Sequence, residues 1–313
     1  MHVLITGATG FIGSSLVNTL LSYDYKITVL VRKNLSYLSS RINQQVCNIF
    51  ETDTLSQFDF SDVDCIIHLA ARVHVMREYS FDSLTEYRMF NRDVSIDLAR
   101  VASNKGVGRF IYISSIKVNG ELTPLGQPFA ADDVVAPEDA YGISKWEAEQ
   151  GINKIAVEAG MEVVIVRPPL VYGPNVKGNF ATMINLVERG FPLPLGAIHN
   201  QRSLVALDNL IDLIITCIDH PAAANQVFLA GDGQDLSTTE LLRGIAKAAG
   251  KPSKLIPIPS FLLMLAASLF GKKAVAQRLL GSLQVDISKA RELLGWEPPI
   301  SVEEGLRRCF SKD

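Results

Sequence analysis

The sequence predicts an α/β fold with a doubly wound parallel sheet and a smaller C-terminal lobe, and three observations support this prediction. Short apolar segments alternate with helix-length segments through the first half of the chain, a pattern typical of a parallel sheet covered on both faces. The chain opens with a strand-like segment that runs into a glycine-rich turn, MHVLITGATGFIG. From about residue 168, prolines and glycines interrupt the chain repeatedly.

The predicted elements alternate in order along the chain. The expected strands are residues 3–5, 26–31, 63–69, 110–114 and 162–166, and the expected helices are residues 14–21, 85–104 and 140–160, with further helices at 208–219 and 237–249. This alternation, together with the glycine-rich turn after the first strand, predicts that residues 1–167 form a Rossmann-type, NAD(P)-binding domain. Residues 168–313 are predicted to form a substrate-binding lobe, parts of which return to the main sheet.

Composition excludes several classes of protein. The 313 residues are 48% hydrophobic and 20% charged, which is ordinary for a globular enzyme, and the net charge of -3 provides no basic surface for nucleic acid. The four cysteines are widely separated, so neither a metal site nor a disulfide framework is predicted. No basic and apolar leader precedes the first strand, and a cytoplasmic location is the expectation.

The longest apolar segment is FLLMLAASLF, residues 261–270. Ten residues are too few to cross a bilayer, which takes about 20. No stable membrane insertion is expected. A helix packed into the protein is the favoured interpretation, and a patch on a membrane surface is the alternative.

The glycines at the start of the chain have the spacing of a dinucleotide-binding turn. Gly7, Gly10 and Gly13 would allow a sharp turn, a close approach to a pyrophosphate and tight packing of the following helix. The amides of Phe11 and Ile12 at the helix start could then hold the anion. A glycine-rich turn without a ligand is the simpler alternative.

The end of the second predicted strand bears on the choice of cofactor. Dinucleotide folds usually place an acidic residue about 20 positions after the glycines, to bind the ribose 2'-hydroxyl. Here Arg32 and Lys33 follow the strand instead. Two cations suit a 2'-phosphate, so this site mildly favours NADP over NAD, unless they are only a solvated basic pair.

Residues after two other predicted strands are also candidates for cofactor binding. Asn48 could reach the adenine amino group, and the segment Leu69, Ala70 and Ala71 would let the adenine ribose approach the sheet edge. His68, directly before it, is interpreted as a packed core histidine rather than a catalyst.

The strongest catalytic signal is the segment YGISK. Tyr141 and Lys145 are four residues apart and share one face of a helix. An ammonium near the phenol is expected to lower its pKa and make Tyr141 a proton shuttle. The strand at 110–114 ends in Ser114 and Ser115, one of which could orient the substrate hydroxyl or carbonyl beside Tyr141.

Taken together, these motifs resemble the extended short-chain dehydrogenase/reductase family, in its NAD-dependent nucleotide-sugar epimerase/dehydratase branch. TGATGFIG, HLAA, the YxxxK pair, RPPLVYGP, QRSLVALDNLID and DISKARELLGWEP match landmarks along almost the whole chain. The resemblance implies that Ser115, Tyr141 and Lys145 are catalytic. It also implies that Asn91 and Pro168 contact the cofactor, together with Tyr141 and Lys145.

The resemblance further implies a nucleotide-diphosphate sugar as substrate and a homodimer formed through the helices at 85–104 and 140–160. Asn179, Arg202 and Arg278 are the implied contacts to the diphosphate.

Four departures from the family pattern carry information. Dehydratases of the family have an Asp-Glu pair after the catalytic residue, whereas Ile116 and Lys117 follow Ser115 here, which disfavours dehydration. Val31 replaces the aspartate common in NAD-bound epimerases, and Leu170 replaces a substrate-contacting asparagine. Leu283, at a position that limits access in some 4-epimerases, would admit an N-acetyl group.

Three hypotheses follow. The first is a UDP-sugar 4-epimerase that acts on UDP-glucose and UDP-galactose or on the N-acetylhexosamine pair through a 4-keto intermediate. The second is an NAD(P)H-dependent 4-keto reductase of a nucleotide-linked 6-deoxy sugar, which the same residues would serve. The third is a catalytically idle NAD(P)-sensing or scaffold protein, against which the intact Ser115, Tyr141 and Lys145 argue.

Overall fold

The computed structural model describes residues 1–49, 55, 58, 60, 62–72 and 83–311. Its central feature is a parallel sheet, in which the described strands follow the order β3-β2-β1-β4-β5-β6-β9. Those strands are β1 (His2–Thr6), β2 (Lys26–Val31), β3 (Ile42–Val46), β4 (Cys65–His68), β5 (Arg109–Ile113), β6 (Glu162–Arg167) and β9 (Gln226–Leu229).

The sheet is doubly wound, as the sequence predicts, because the order reverses between β1 and β4. Every residue of β1, β4 and β5 is buried, which explains their continuous apolar character. Thr6 pairs with Leu30 on one side and with His68 on the other. The carboxyl ends of these strands therefore form one edge, at the switch point where ligands bind in open parallel sheets.

Helices cover both faces of the sheet. The first half of the chain contains α1 (Phe11–Leu20), α2 (Ser83–Tyr87), a π-helical turn (Arg88–Asp93), α3 (Val94–Asn104), a 3-10 turn (Ile116–Val118) and α4 (Ala140–Ala159). On one face α3 and α4 pack together over the core that contains Leu98, Phe110 and Ile152. On the other face α1 packs beside a helix from the second half of the chain, α6 (Leu207–Asp219).

The second half of the chain also builds a smaller core of its own. There, β7 (Leu170–Tyr172) pairs in parallel with β8 (Leu204–Ala206). Tyr172, Phe180 and Leu242 lie in this core. The helices of this part, besides α6, are α5 (Gly178–Glu188), α7 (Thr238–Ala248), α8 (Ser260–Leu269), α9 (Lys273–Leu280), α10 (Ser288–Leu294) and α11 (Val302–Arg308).

Two strands of the central sheet, β3 and β9, were not expected from the sequence, and neither was the separate pair of β7 and β8. β3 has a mixed INQQV sequence because it lies at the edge of the sheet, where only Ile42 is buried. β9 is contributed by the second half of the chain and pairs with β6. A boundary between two domains at residue 167 stays a prediction.

The apolar segment at 261–270 is helical, but the packed-helix interpretation is wrong. None of the residues of α8 is buried, because the helix lies on the outside of the protein with α9 as its principal neighbour. In the part of the chain that the structure describes, no helix has the length and apolar character needed to cross a membrane.

Candidate active site

The glycine turn has the geometry of a phosphate cradle. Gly7 adopts a positive φ of 74°, and a Cβ placed on it would lie 2.6 Å from the amide nitrogen of Ala70. A Cβ on Gly13 would lie 2.2 Å from the carbonyl oxygen of Gly7. Only glycine fits at these two positions, and the result is bare backbone at the start of α1 beside the sheet edge.

The start of α1 is open for an anion. Gly10 takes the N-cap position without any side-chain cap, and the amides of Phe11 and Ile12 belong to the first turn, where helices have no internal acceptors. The loop and helix terminus thus fit the pyrophosphate of a dinucleotide.

The segment after β4 forms the opposite wall of this cradle. Leu69, Ala70 and Ala71 are half-buried at the sheet edge, and the Ala70 amide donates to Thr6 Oγ1 at 3.3 Å. The small side chains of Ala70 and Ala71 are compatible with the predicted ribose contact.

His68 is a packed histidine, as the sequence indicated. Its Nδ1 lies 2.6 Å from Thr6 Oγ1 and its Nε2 lies 2.9 Å from Ser95 Oγ. Ser95 donates its own proton to the Asn91 carbonyl, so Nε2 carries the histidine hydrogen and Nδ1 accepts from Thr6. Burial, helped by the charge of Lys145, lowers the pKa of His68 to about 3. The ring therefore stays neutral at physiological pH.

Arg32 and Asn48 lie at the carboxyl ends of β2 and β3, on the side of the cradle where the adenosine half would lie. Arg32 is exposed and Asn48 is half-buried. Both positions are compatible with the predicted contacts.

Ser115 and Tyr141 meet at the carboxyl end of β5. A hydrogen bond joins their side chains. Asp139 caps α4 by accepting from the Gly142 amide at 2.7 Å, which places Tyr141 in the first turn of the helix. The Pro168 carbonyl accepts from the Ile116 amide at 3.0 Å, so the end of β6 is tied to the serine as well.

The electrostatics of Tyr141 differ from the expectation. Burial raises its pKa above the ordinary value, the negative charge of Asp139 adds to this, and the hydrogen bond with Ser115 opposes it. The prediction that Lys145 lowers the pKa of Tyr141 is therefore wrong for this structure. Ionising the phenol in this pocket requires a positive charge close to it.

Lys145 explains the difference, because its ammonium is directed elsewhere. Nζ donates to the Ile113 carbonyl at 2.7 Å and lies 4.0 Å from the centre of the Tyr112 ring. The side chain is only 1% exposed. Burial lowers the pKa of Lys145 to about 7, and the charge of Glu149 limits the fall. Lys145 is thus partly neutral at neutral pH.

A buried charged cluster, not predicted from the sequence, lies beneath Lys145. Glu149 accepts two hydrogen bonds from Arg167, at 3.0 and 2.6 Å, and another from Ser114. Arg167 also donates to Asn119 Oδ1 at 3.1 Å. Glu149 lies four residues after Lys145, as Lys145 does after Tyr141, so the same helical spacing could have indicated it.

Asn91, a predicted cofactor contact, makes hydrogen bonds within the protein. It is fully buried in the π-helical turn. Its side-chain oxygen accepts from the Arg72 amide at 2.8 Å, and its nitrogen donates to the Arg72 carbonyl and to Ser144 Oγ, both at 3.2 Å. Asn91 therefore holds the segment after β4 against the first turn of α4.

Two of the three predicted diphosphate contacts, Arg202 and Arg278, lie next to each other. Arg202 Nη1 donates to the carbonyl oxygens of Arg278 and Gly281, at 2.8 and 3.2 Å. Arg278 is exposed and lies 3.5 Å from Glu121. Asn179 is exposed near the start of α5, with no described contact to either arginine.

Comparison with known proteins identifies the family. A profile of the NAD dependent epimerase/dehydratase family matches residues 3–231. This chain belongs to that family. It is 48% identical over 313 aligned residues to a UDP-glucose 4-epimerase of Vibrio cholerae, covering 98% of this chain and 93% of the relative.

Solved structures share the fold. A UDP-glucose 4-epimerase of Thermotoga maritima, crystallised with UDP-glucose, is 24% identical with a TM-score of 0.79, covering 99% of this chain and 97% of that one. A UDP-glucuronic acid 4-epimerase of Bacillus cereus, crystallised with NAD, is 23% identical with a TM-score of 0.78, covering 98% and 97%. The family to which the chain belongs is described as NAD dependent, which confirms the expected nicotinamide cofactor.

Proposed function

We propose that this protein is a UDP-sugar 4-epimerase, acting on UDP-glucose and UDP-galactose or on the corresponding N-acetylhexosamines. The observation that carries the proposal is the hydrogen bond between Ser115 and Tyr141 at the sheet edge that the glycine cradle also lines. The 48% identity to a UDP-glucose 4-epimerase supports it.

The residues of the cradle and sheet edge would hold the dinucleotide. Gly7, Gly10 and Gly13 with the amides of Phe11 and Ile12 fit the pyrophosphate, and Leu69, Ala70 and Ala71 fit the ribose. When bound, the nicotinamide would supply the acceptor and donor of the C4 hydride and, in its oxidised form, a positive charge that favours the phenolate of Tyr141.

Tyr141 carries the proton part of the reaction. Its phenolate takes the proton of the sugar 4-hydroxyl as the C4 hydrogen leaves with its electron pair, which gives a 4-keto sugar. Ser115 orients the same oxygen through its hydroxyl. After the sugar has turned, Tyr141 would give the proton back to the keto oxygen as C4 is reduced on its other face. The full cycle consumes no net hydride and no net proton, as an epimerisation requires.

The substrate must stay attached while its sugar turns. Arg202 is the best-placed candidate to hold the diphosphate, since a guanidinium binds phosphate oxygens in pairs and this one is already fixed by two carbonyls. Arg278 and Asn179 are weaker candidates. Leu283 is buried, and its backbone forms a parallel β-bridge with that of Arg202. An apolar side chain at this position is compatible with an N-acetyl group.

The 4-keto reductase is the second candidate and has less support. Arg32 and Lys33, which suit a 2'-phosphate, are the observation that favours it, because a reductase draws on free NADPH. A homodimer through α3 and α4 and a cytoplasmic location complete the proposal as expectations from the family resemblance. Light scattering of the purified protein measures its oligomeric state, and cell fractionation measures its location.

A panel of UDP-hexoses and UDP-N-acetylhexosamines, followed by NMR of the products, tests the proposal. We expect interconversion of a C4-epimeric pair, without net consumption of nicotinamide, and its loss in Tyr141→Phe. Stoichiometric oxidation of NADPH with a 4-keto sugar, and no epimerisation, would establish the reductase instead. If the wild type and Tyr141→Phe are equally inactive on every substrate, both enzymatic candidates are wrong.

A further inference from the structure

The α8–α9 hairpin, residues 260–280, presents an apolar surface that the active site does not use. Four large side chains of α8 are well exposed, and their helical positions place them within one arc of the helix surface. They are Phe261, Leu262, Leu265 and Leu269, with exposed fractions of 68%, 44%, 59% and 78%. Phe270, at the turn, is 79% exposed. A continuous apolar face of this kind marks an interaction site.

The hairpin is held firmly at both ends, so this face has a fixed orientation. Before α8, the Gly196 amide donates to the Ile256 carbonyl at 2.9 Å. At the end of α9, the Leu279 carbonyl accepts from Thr238 Oγ1 at 2.8 Å, and directly after the helix the Gly281 carbonyl accepts from Asn200 Nδ2 at 2.8 Å. The exposed face is therefore a part of the folded protein rather than a frayed end.

The charge around the hairpin indicates what it contacts. Residues 241–285 contain seven Lys and Arg residues and no Asp or Glu, in a chain whose net charge is -3. Lys272 and Lys273 lie at the tip, beside Phe270. Neither forms an ion pair with a carboxylate of the described residues. An apolar helix face bordered by unpaired cations matches an anionic lipid surface.

From this combination we propose that the α8–α9 hairpin is a peripheral membrane anchor, which lays α8 into the headgroup region of an anionic bilayer. Its ten residues are too few to span, so the helix lies in the plane of the interface. A second copy of the chain fits the face less well, because a symmetric contact would bring the same unpaired lysines together. The anchor also places Arg278, in α9, close to the membrane side of the protein.

Co-sedimentation of the full-length protein with phospholipid vesicles tests the proposal. We expect binding to vesicles of equal parts phosphatidylcholine and phosphatidylglycerol, and binding at least about tenfold weaker to pure phosphatidylcholine. Leu265→Glu/Leu269→Glu should weaken binding by about a hundredfold, since burial of each leucine contributes a factor of about ten or more. Lys272→Gln/Lys273→Gln should weaken it about twentyfold, at about fivefold for each cation.

Val134→Glu is the matched control, because Val134 is 93% exposed and lies outside the hairpin, and it should bind vesicles as the wild type does. Turnover of a soluble UDP-sugar by the hairpin variants should remain unchanged and verifies their folding. For a wild type without turnover, circular dichroism verifies folding instead, so a failure of the proposed function leaves the vesicle result interpretable. Absence of wild-type binding to the anionic vesicles, equal binding by Leu265→Glu/Leu269→Glu, or a change in oligomeric state of that variant without lipid would overturn the anchor.

Discussion

Lys117 forms an ion pair with Asp139, the residue whose carboxylate caps the helix that carries Tyr141. Lys117 also donates to Glu121 at 3.2 Å, and its amide donates to Ser115 Oγ at 3.3 Å. One lysine thus touches both Ser115 and the cap of the helix that carries Tyr141. It stands where dehydratases of the family have an acidic residue, and here its charge offsets that of Asp139 near the phenol.

Lys117→Gln is expected to shift the pH dependence of epimerisation to higher pH. Without the ammonium, the negative charge of Asp139 acts more strongly on Tyr141 and raises its pKa further, by up to about one unit. The limb of the pH-rate profile that reports ionisation of Tyr141 should move accordingly. Lys117→Arg keeps the charge and should restore the profile. A Lys117→Gln profile that coincides with that of the wild type would refute this role.

Glu149→Gln is expected to destabilise the protein by about 3 kcal/mol or more, because it leaves the buried guanidinium of Arg167 without a compensating charge. The two side chains are 1% and 3% exposed. Glu303→Gln is the control, since its pair with Lys247 is exposed and should change stability by less than about 1 kcal/mol. Urea unfolding measures both. Equal effects of the two changes would contradict the prediction.

Lys145→Met is expected to alter the pH dependence of stability. The folded pKa of Lys145 is about 7, lowered from 10.5 by burial, so above pH 7 the unfolded chain binds a proton that the folded protein does not. Burial of this group therefore destabilises the folded protein most below its folded pKa, and stability rises as pH rises above that pKa.

Thermal unfolding of the cofactor-free protein from pH 6.5 to 9 measures this effect. The wild type should gain stability relative to Lys145→Met as pH rises through this range. A constant difference between the two proteins would mean that Lys145 remains protonated in the folded state.

Gly13→Ala is expected to weaken NAD binding by at least about tenfold, because its Cβ would meet the carbonyl oxygen of Gly7 and force the cradle apart. Gly108→Ala is the control, since a Cβ there would lie 3.5 Å from its nearest neighbour, an ordinary contact. Titration calorimetry with NAD compares the two. Similar affinities in both variants would rule out the cradle as the cofactor site.

Arg32→Ala/Lys33→Ala is expected to weaken NADP binding about tenfold or more, because two cations near a 2'-phosphate are removed. NAD binding should change by less than about twofold, because NAD has no phosphate at that position. Competition between the two cofactors measures the ratio. An equal loss of affinity for NAD and for NADP would show that Arg32 and Lys33 do not distinguish the two cofactors at the 2'-position.

The sequence was sufficient to predict the sheet, the glycine turn and the pairing of Ser115 with Tyr141, since each depends on local spacing and on the meeting of strand ends at one edge. It was insufficient for three other features. β3 was not predicted because an edge strand has no continuous apolar pattern. The charge state of Lys145 depends on burial that only the tertiary fold creates. The exposure of α8 is also a tertiary property, because its composition alone resembles that of a core helix.

The position of β9 beside β6 has a consequence for engineering. β9 and α6 come late in the chain, yet they complete the sheet and cover one of its faces. A recombinant fragment that stopped at Arg167 would expose β6 as an open edge, prone to intermolecular pairing, and would bare the apolar surface under α6. Chimeras that exchange substrate preference between relatives should therefore take β9 and α6 from the same parent as the first half. The remaining segments of the second half should be exchanged as separate inserts, not as one C-terminal piece.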